Sequence, residues 1–80
     1  MTNTQRYNKI FQEILNISAE QDLQGLELKK TPHWDSISHL SLVTAMEDEF
    51  DIMLDAEEIL DFDSYIRGKM ILNKYGVGLD

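Results

Sequence analysis

Three side chains that could do chemistry lie within one short stretch of the chain: the carboxylate of Asp35, the hydroxyl of Ser36 and the imidazole of His39. These are the groups that nucleophilic catalysis uses. They are, however, near neighbours at the start of one predicted helix, where side chains seldom converge on a substrate. We therefore predict no catalytic residues and no enzyme, and we interpret His33 and His39 as surface or packing residues.

Ser36 has a second interpretation, because of its position. Asp35 is a good N-cap residue, since its carboxylate can accept hydrogen bonds from the first free backbone N–H groups of a helix. Ser36 then occupies the first helical position, where free N–H groups and the helix dipole favour an attached anionic group. Ser36 is thus either an ordinary residue of the cap or an attachment point, and the residues that follow must decide.

The helix predicted at about residues 36–50 carries two stripes. The core stripe has the 3–4 spacing of one helix face and comprises Leu42, Val43, Met46 and Phe50. A second stripe is displaced around the helix and comprises Ile37, Leu40, Thr44, Glu47 and Asp48. Leu40 could simply widen the core stripe, but Ile37 at the helix start is not explained in that way. We predict that the second stripe is a partner-docking surface.

The rest of the chain predicts further helices around one core. The spacing of Tyr7, Ile10, Phe11, Ile14 and Leu15 predicts a first helix over about residues 3–16. Residues 17–34 contain Gly25 and Pro32 and predict a long connection, which Leu23, Leu26 and Leu28 could pack and Trp34 could anchor.

Two more helices are predicted after residue 50. Asp55 and Glu58 form a capping-box pattern at the start of a short helix over about 56–60, and Phe62 is expected in the core. Ser64 is the predicted cap of a last helix over about 65–75, with Gly76 as its stop and residues 77–80 as an unpacked tail. We predict one all-α domain, residues 1–80: a small antiparallel four-helix bundle with three main helices, one short helix and a long first loop.

Composition restricts the possible partners. The chain has 15 acidic and 7 basic residues, a net charge of −8, and nine acidic residues between Glu47 and Asp63. Such a surface repels nucleic acid and attracts proteins with basic patches. With no cysteine, no apolar run long enough to span a membrane and no evident signal peptide, we expect a cytoplasmic protein. The acidic residues lack the order of a calcium loop, so we predict no dedicated metal site and leave weak divalent cation binding open.

The chain resembles a known family. Asp35-Ser36-Ile37, Leu40, Leu42-Val43, Ala45-Met46-Glu47-Asp48-Glu49-Phe50 and Asp51-Ile52 are similar to the D-S-L signature and second helix of acyl carrier proteins. The length, acidity, missing cysteine, long first loop and short third helix agree with the resemblance along essentially the whole chain.

The resemblance implies that a phosphopantetheinyl transferase modifies Ser36, beside Asp35, with a 4'-phosphopantetheine arm from coenzyme A. An acyl group would be carried as a thioester on the thiol of the arm. The expected partners are enzymes with basic patches that load or transfer acyl groups and dock on the second helix, with the carrier as a monomer. The acyl chain would enter a pocket lined by Val43, Met46, Ile59 and Phe62.

Several residues depart from the housekeeping pattern of that family. Ser38 and Ser41 stand where fatty-acid carriers usually present carboxylates, and His33-Trp34 replaces small or aliphatic residues. These differences favour a specialised carrier for a lipid, polysaccharide or secondary-metabolite pathway. Two alternatives remain open: a carrier of amino acids or peptides, and an unmodified acidic helical interaction module.

Overall fold

The fold is all-α, as predicted. A computed structural model describes residues 1–79, in which four helices follow one another: α1 (Asn3–Ile14), α2 (Ser36–Phe50), α3 (Ala56–Asp61) and α4 (Tyr65–Lys74). Helix α1 packs against α2, and α3 contacts α4. Within residues 1–79 there is no β-strand, and one isolated antiparallel bridge joins Glu27 to Ser64. No helix in this part of the chain has both the length and the apolar character needed to cross a membrane.

The helix starts follow the predicted caps. The Asp35, Asp55 and Ser64 side chains accept hydrogen bonds from the first turns of α2, α3 and α4. Asp35 additionally forms a capping box with Ser38, which the sequence analysis did not predict. Helix α1 ends at Ile14, earlier than predicted, because the chain turns at Asn16 in the left-handed region (φ 55°).

The core forms along the predicted stripes. Tyr7, Phe11 and Leu15 of the first stripe are fully buried, as are Leu42 and Met46 of α2. Further buried side chains come from the connection, the α3–α4 turn and α4: Leu23, Leu26, Trp34, Phe62, Tyr65, Ile71 and Leu72. Trp34 is thus a packed anchor for the long first loop, as predicted.

The prediction of an unpacked tail is wrong for residues 77–79; Asp80 lies outside the described residues. Gly76 (φ 83°) ends α4 in a Schellman motif, with the Gly76 N–H bonded to the Asn73 carbonyl at 3.0 Å and the Val77 N–H to the Leu72 carbonyl at 3.1 Å. This turn folds the chain back, so Val77 and Leu79 become buried. Gly76 thus ends α4 as predicted, but the contacts that its turn creates depend on the tertiary fold.

Candidate functional site

Ser36 is an exposed residue at the first position of α2. Its hydroxyl forms no hydrogen bond with any residue in the range 1–79. The nearby Ser38 behaves differently: its Oγ donates to the His33 carbonyl at 2.5 Å and accepts from the Asp35 N–H at 2.8 Å. Of these two serines, Ser36 is therefore available for modification and Ser38 is committed to holding the turn.

Asp35 shapes the start of α2. One of its carboxylate oxygens accepts from the Ile37 N–H at 3.1 Å and from the Ser38 N–H at 3.0 Å. These bonds, that from Ser38 foremost, hold the pKa of Asp35 below its usual value. Because Asp35 already satisfies these two N–H groups, an anion attached to Ser36 would be favoured by the helix dipole more than by free amides.

The turn before α2 contains His33 and Trp34. His33 adopts the left-handed region (φ 72°), and the Ser38 hydroxyl bonded to its carbonyl supports that conformation. The chain then enters the core at Trp34, whose ring contacts Phe11 edge-on at 5.5 Å between centroids. These contacts leave Asp35 and Ser36 at the surface while anchoring the residue just before them.

An apolar cleft of about 460 Å³ opens beside Ser36, between the start of α2 and the end of α3. Four aliphatic and four polar or charged residues line it, and the surface that they expose to it is mainly apolar: Leu28, Leu40, Ile59 and Leu60, with Lys29, Asp35, Ser36 and His39. Lys29 forms no ion pair with any residue that the structure describes. An exposed hydroxyl, an unpaired cation and an apolar surface therefore meet at one place.

His39 is buried at the inner side of this cleft. The Trp34 Nε1–H donates to His39 Nδ1 at 3.1 Å, and His39 Nε2 lies 2.8 Å from the Ile59 carbonyl oxygen. His39 is thus a packing residue, as predicted. Its place in the cleft, like those of Leu28, Lys29 and Leu60, was not predicted from the sequence, because these residues belong to three separate segments.

The predicted docking stripe lies mostly on the surface. Ile37 is 78% exposed and Leu40 is 62% exposed, so Leu40 does not simply widen the core stripe. Thr44 and Asp48 are also exposed. Glu47 differs, because it is half-buried and its carboxylate accepts from the Leu54 N–H at 2.8 Å. Its side chain therefore also holds the connection after α2.

The four residues predicted to line an acyl pocket lie in two different parts of the molecule. Ile59 lines the cleft, whereas Val43, Met46 and Phe62 are buried in the packed core behind it. Within residues 1–79, no three His, Asp or Glu side chains are grouped so that they could hold a metal ion.

Comparison of the chain with models of known protein families, and with curated proteins, returned no match.

Proposed function

We propose that this protein is an acyl carrier protein that bears a 4'-phosphopantetheine arm on Ser36. The observation that carries the proposal is the exposed, unbonded Ser36 hydroxyl at the first position of α2, next to an apolar cleft. The resemblance of Asp35–Ile52 to the family's signature region supports the same assignment. The fold proposed with it is the antiparallel four-helix bundle, and the proposed setting is a specialised cytoplasmic pathway.

The chain's own residues fit the arm. Ser36 Oγ would form the P–O bond as the pyrophosphate bond of coenzyme A breaks, with adenosine 3',5'-bisphosphate and the hydroxyl proton released on the transferase. Lys29, on the edge of the cleft, carries a charge that would stabilise the phosphodiester. When bound, the arm supplies the thiol that this cysteine-free chain lacks.

The exposed side chains of α2 would present the carrier to its enzymes. Ile37 and Leu40 offer apolar contact area next to Ser36, and Asp48 offers a negative charge to a basic patch. The aliphatic lining of the cleft favours an acyl group over a charged amino acid as cargo.

The test is an intact-mass measurement after incubation with coenzyme A and a broad phosphopantetheinyl transferase. We expect a mass gain of one phosphopantetheine for the wild type and for Ser41→Ala, the latter being a matched exposed serine on the same helix. Ser36→Ala should gain no mass. An unmodified wild type, or a gain that persists in Ser36→Ala, would refute the proposal.

A further inference from the structure

His39 connects the start of α2 to the end of α3 through both nitrogens of its ring. An indole N–H can only donate, so the 3.1 Å contact from Trp34 Nε1 makes His39 Nδ1 an acceptor. The proton of the neutral ring is then on Nε2, which donates to the Ile59 carbonyl at 2.8 Å. The contacts therefore define a single tautomer and a continuous chain, Trp34 to His39 to Ile59, named here the latch.

The Ile59 carbonyl needs this donor. It lies in the last turn of α3, where carbonyl groups have no partner within the helix. The backbone N–H groups three and four residues after Ile59, which could otherwise bond to its carbonyl, have other partners. Phe62 donates to the Glu58 carbonyl and Asp63 to the Asp61 carbonyl. The latch thus satisfies a helix end, and breaking it would leave two groups without partners, the Ile59 carbonyl and the Trp34 N–H.

The latch lies between the cleft and the core. His39 lines the cleft beside Ser36, and on its other side its ring lies 6.1 Å from that of Trp34 and 6.3 Å from that of Phe62. Trp34, Phe62 and Met46 behind it are buried. An alkyl chain that entered the core at this point would displace the His39 ring.

We propose that the latch makes His39 a specificity-determining residue, which keeps the cargo in the surface cleft and so selects short acyl groups. This inference rests on the proposed function. Each methylene buried in the core would favour entry about fourfold. Entry would leave two buried polar groups unpaired, at a cost on the order of a hundredfold in the equilibrium constant. A chain of about two or three methylenes therefore stays outside the latch, whereas a much longer one would enter.

The test compares protein loaded from acetyl- and butanoyl-coenzyme A. In the wild type, the NMR resonance of the Trp34 indole N–H should be the same with either chain, and hydroxylamine should cleave both thioesters at similar rates. In His39→Ala, the butanoyl form should shift that resonance and resist cleavage about tenfold or more. His33→Ala, which removes an exposed imidazole, should behave as the wild type.

Two results would overturn the inference. One is a wild-type butanoyl form that shifts the indole resonance and resists cleavage as the His39→Ala form does. The other needs neither variant nor cargo: nitrogen NMR of unmodified wild-type protein should show the Nε2–H tautomer of His39, and the Nδ1–H tautomer would contradict the latch. Failure to load phosphopantetheine would instead refute the carrier function, so the two failures are distinguishable.

Discussion

Substituting Gly68 by alanine should destabilise this protein, although the same change stabilises most helices. Gly68 is buried in α4. A Cβ atom built there would lie 2.5 Å from Phe62 Cζ and 2.7 Å from Phe62 Cε1, and closer still to the Tyr7 hydroxyl oxygen. Both rings are fully buried, so moving either one would disturb the packed core around it. Tyr7 of α1 and Phe62 therefore approach α4 closely at Gly68.

The expected magnitude follows from three contributions to the free energy of unfolding. Alanine gains about 1 kcal/mol over glycine inside a helix. Overpacking a core costs about 1–3 kcal/mol. Displacing the Tyr7 ring would also break its buried 2.6 Å hydrogen bond to the Tyr65 carbonyl, at a cost of about 1–3 kcal/mol. The sum predicts that Gly68→Ala lowers the free energy of unfolding by about 1–5 kcal/mol.

Urea unfolding measures this loss. Gly25→Ala is the matched control, because nothing lies within 4 Å of a Cβ atom at Gly25, and its effect should stay within about 0.5 kcal/mol. Adding Tyr7→Phe removes the nearest atom, so the double mutant should lose less than the two single mutants together. A Gly68→Ala protein as stable as the wild type, or strictly additive effects, would refute the reasoning.

Further predictions concern charge and pH. Asp48→Lys should slow phosphopantetheine transfer more at low salt than at high salt, and Asp63→Lys should not; equal slowing at both salts would contradict electrostatic docking. Glu47→Lys should act similarly, with an added loss of stability from its broken hydrogen bond. The pKa of Glu58 lies below its usual 4.5, mainly because the Tyr75 hydroxyl donates a hydrogen bond to its carboxylate. The stability that Glu58 adds over Glu58→Gln should therefore be complete above pH 4.5 and disappear as pH falls through the lowered pKa. The same bond raises the pKa of Tyr75 from 10.0 to about 12. The stability that Tyr75 adds over Tyr75→Phe should therefore be complete below pH 10.0 and be lost as pH rises to about 12. Urea unfolding midpoints measured against pH would show both effects.

Sequence patterns determined the helices and their caps because these depend on residues close together in the chain. Asp35 and Asp55 hydrogen-bond to N–H groups within three residues of themselves, so the starts of α2 and α3 could be read directly. The spacing within α2 likewise separated Leu42 and Met46, which are buried, from Ile37 and Leu40, which are exposed.

Only the tertiary structure decided how distant segments combine around Ser36. The cleft brings Leu28 of the first loop and Leu60 of α3 to the first turn of α2, and periodicity within one element carries no signal for such a meeting. The role of His39 was hidden for the same reason, since its second partner is a backbone carbonyl 20 residues away. Backbone groups have the same chemistry in every residue, so which carbonyl needs a donor becomes known only when the helix ends are placed.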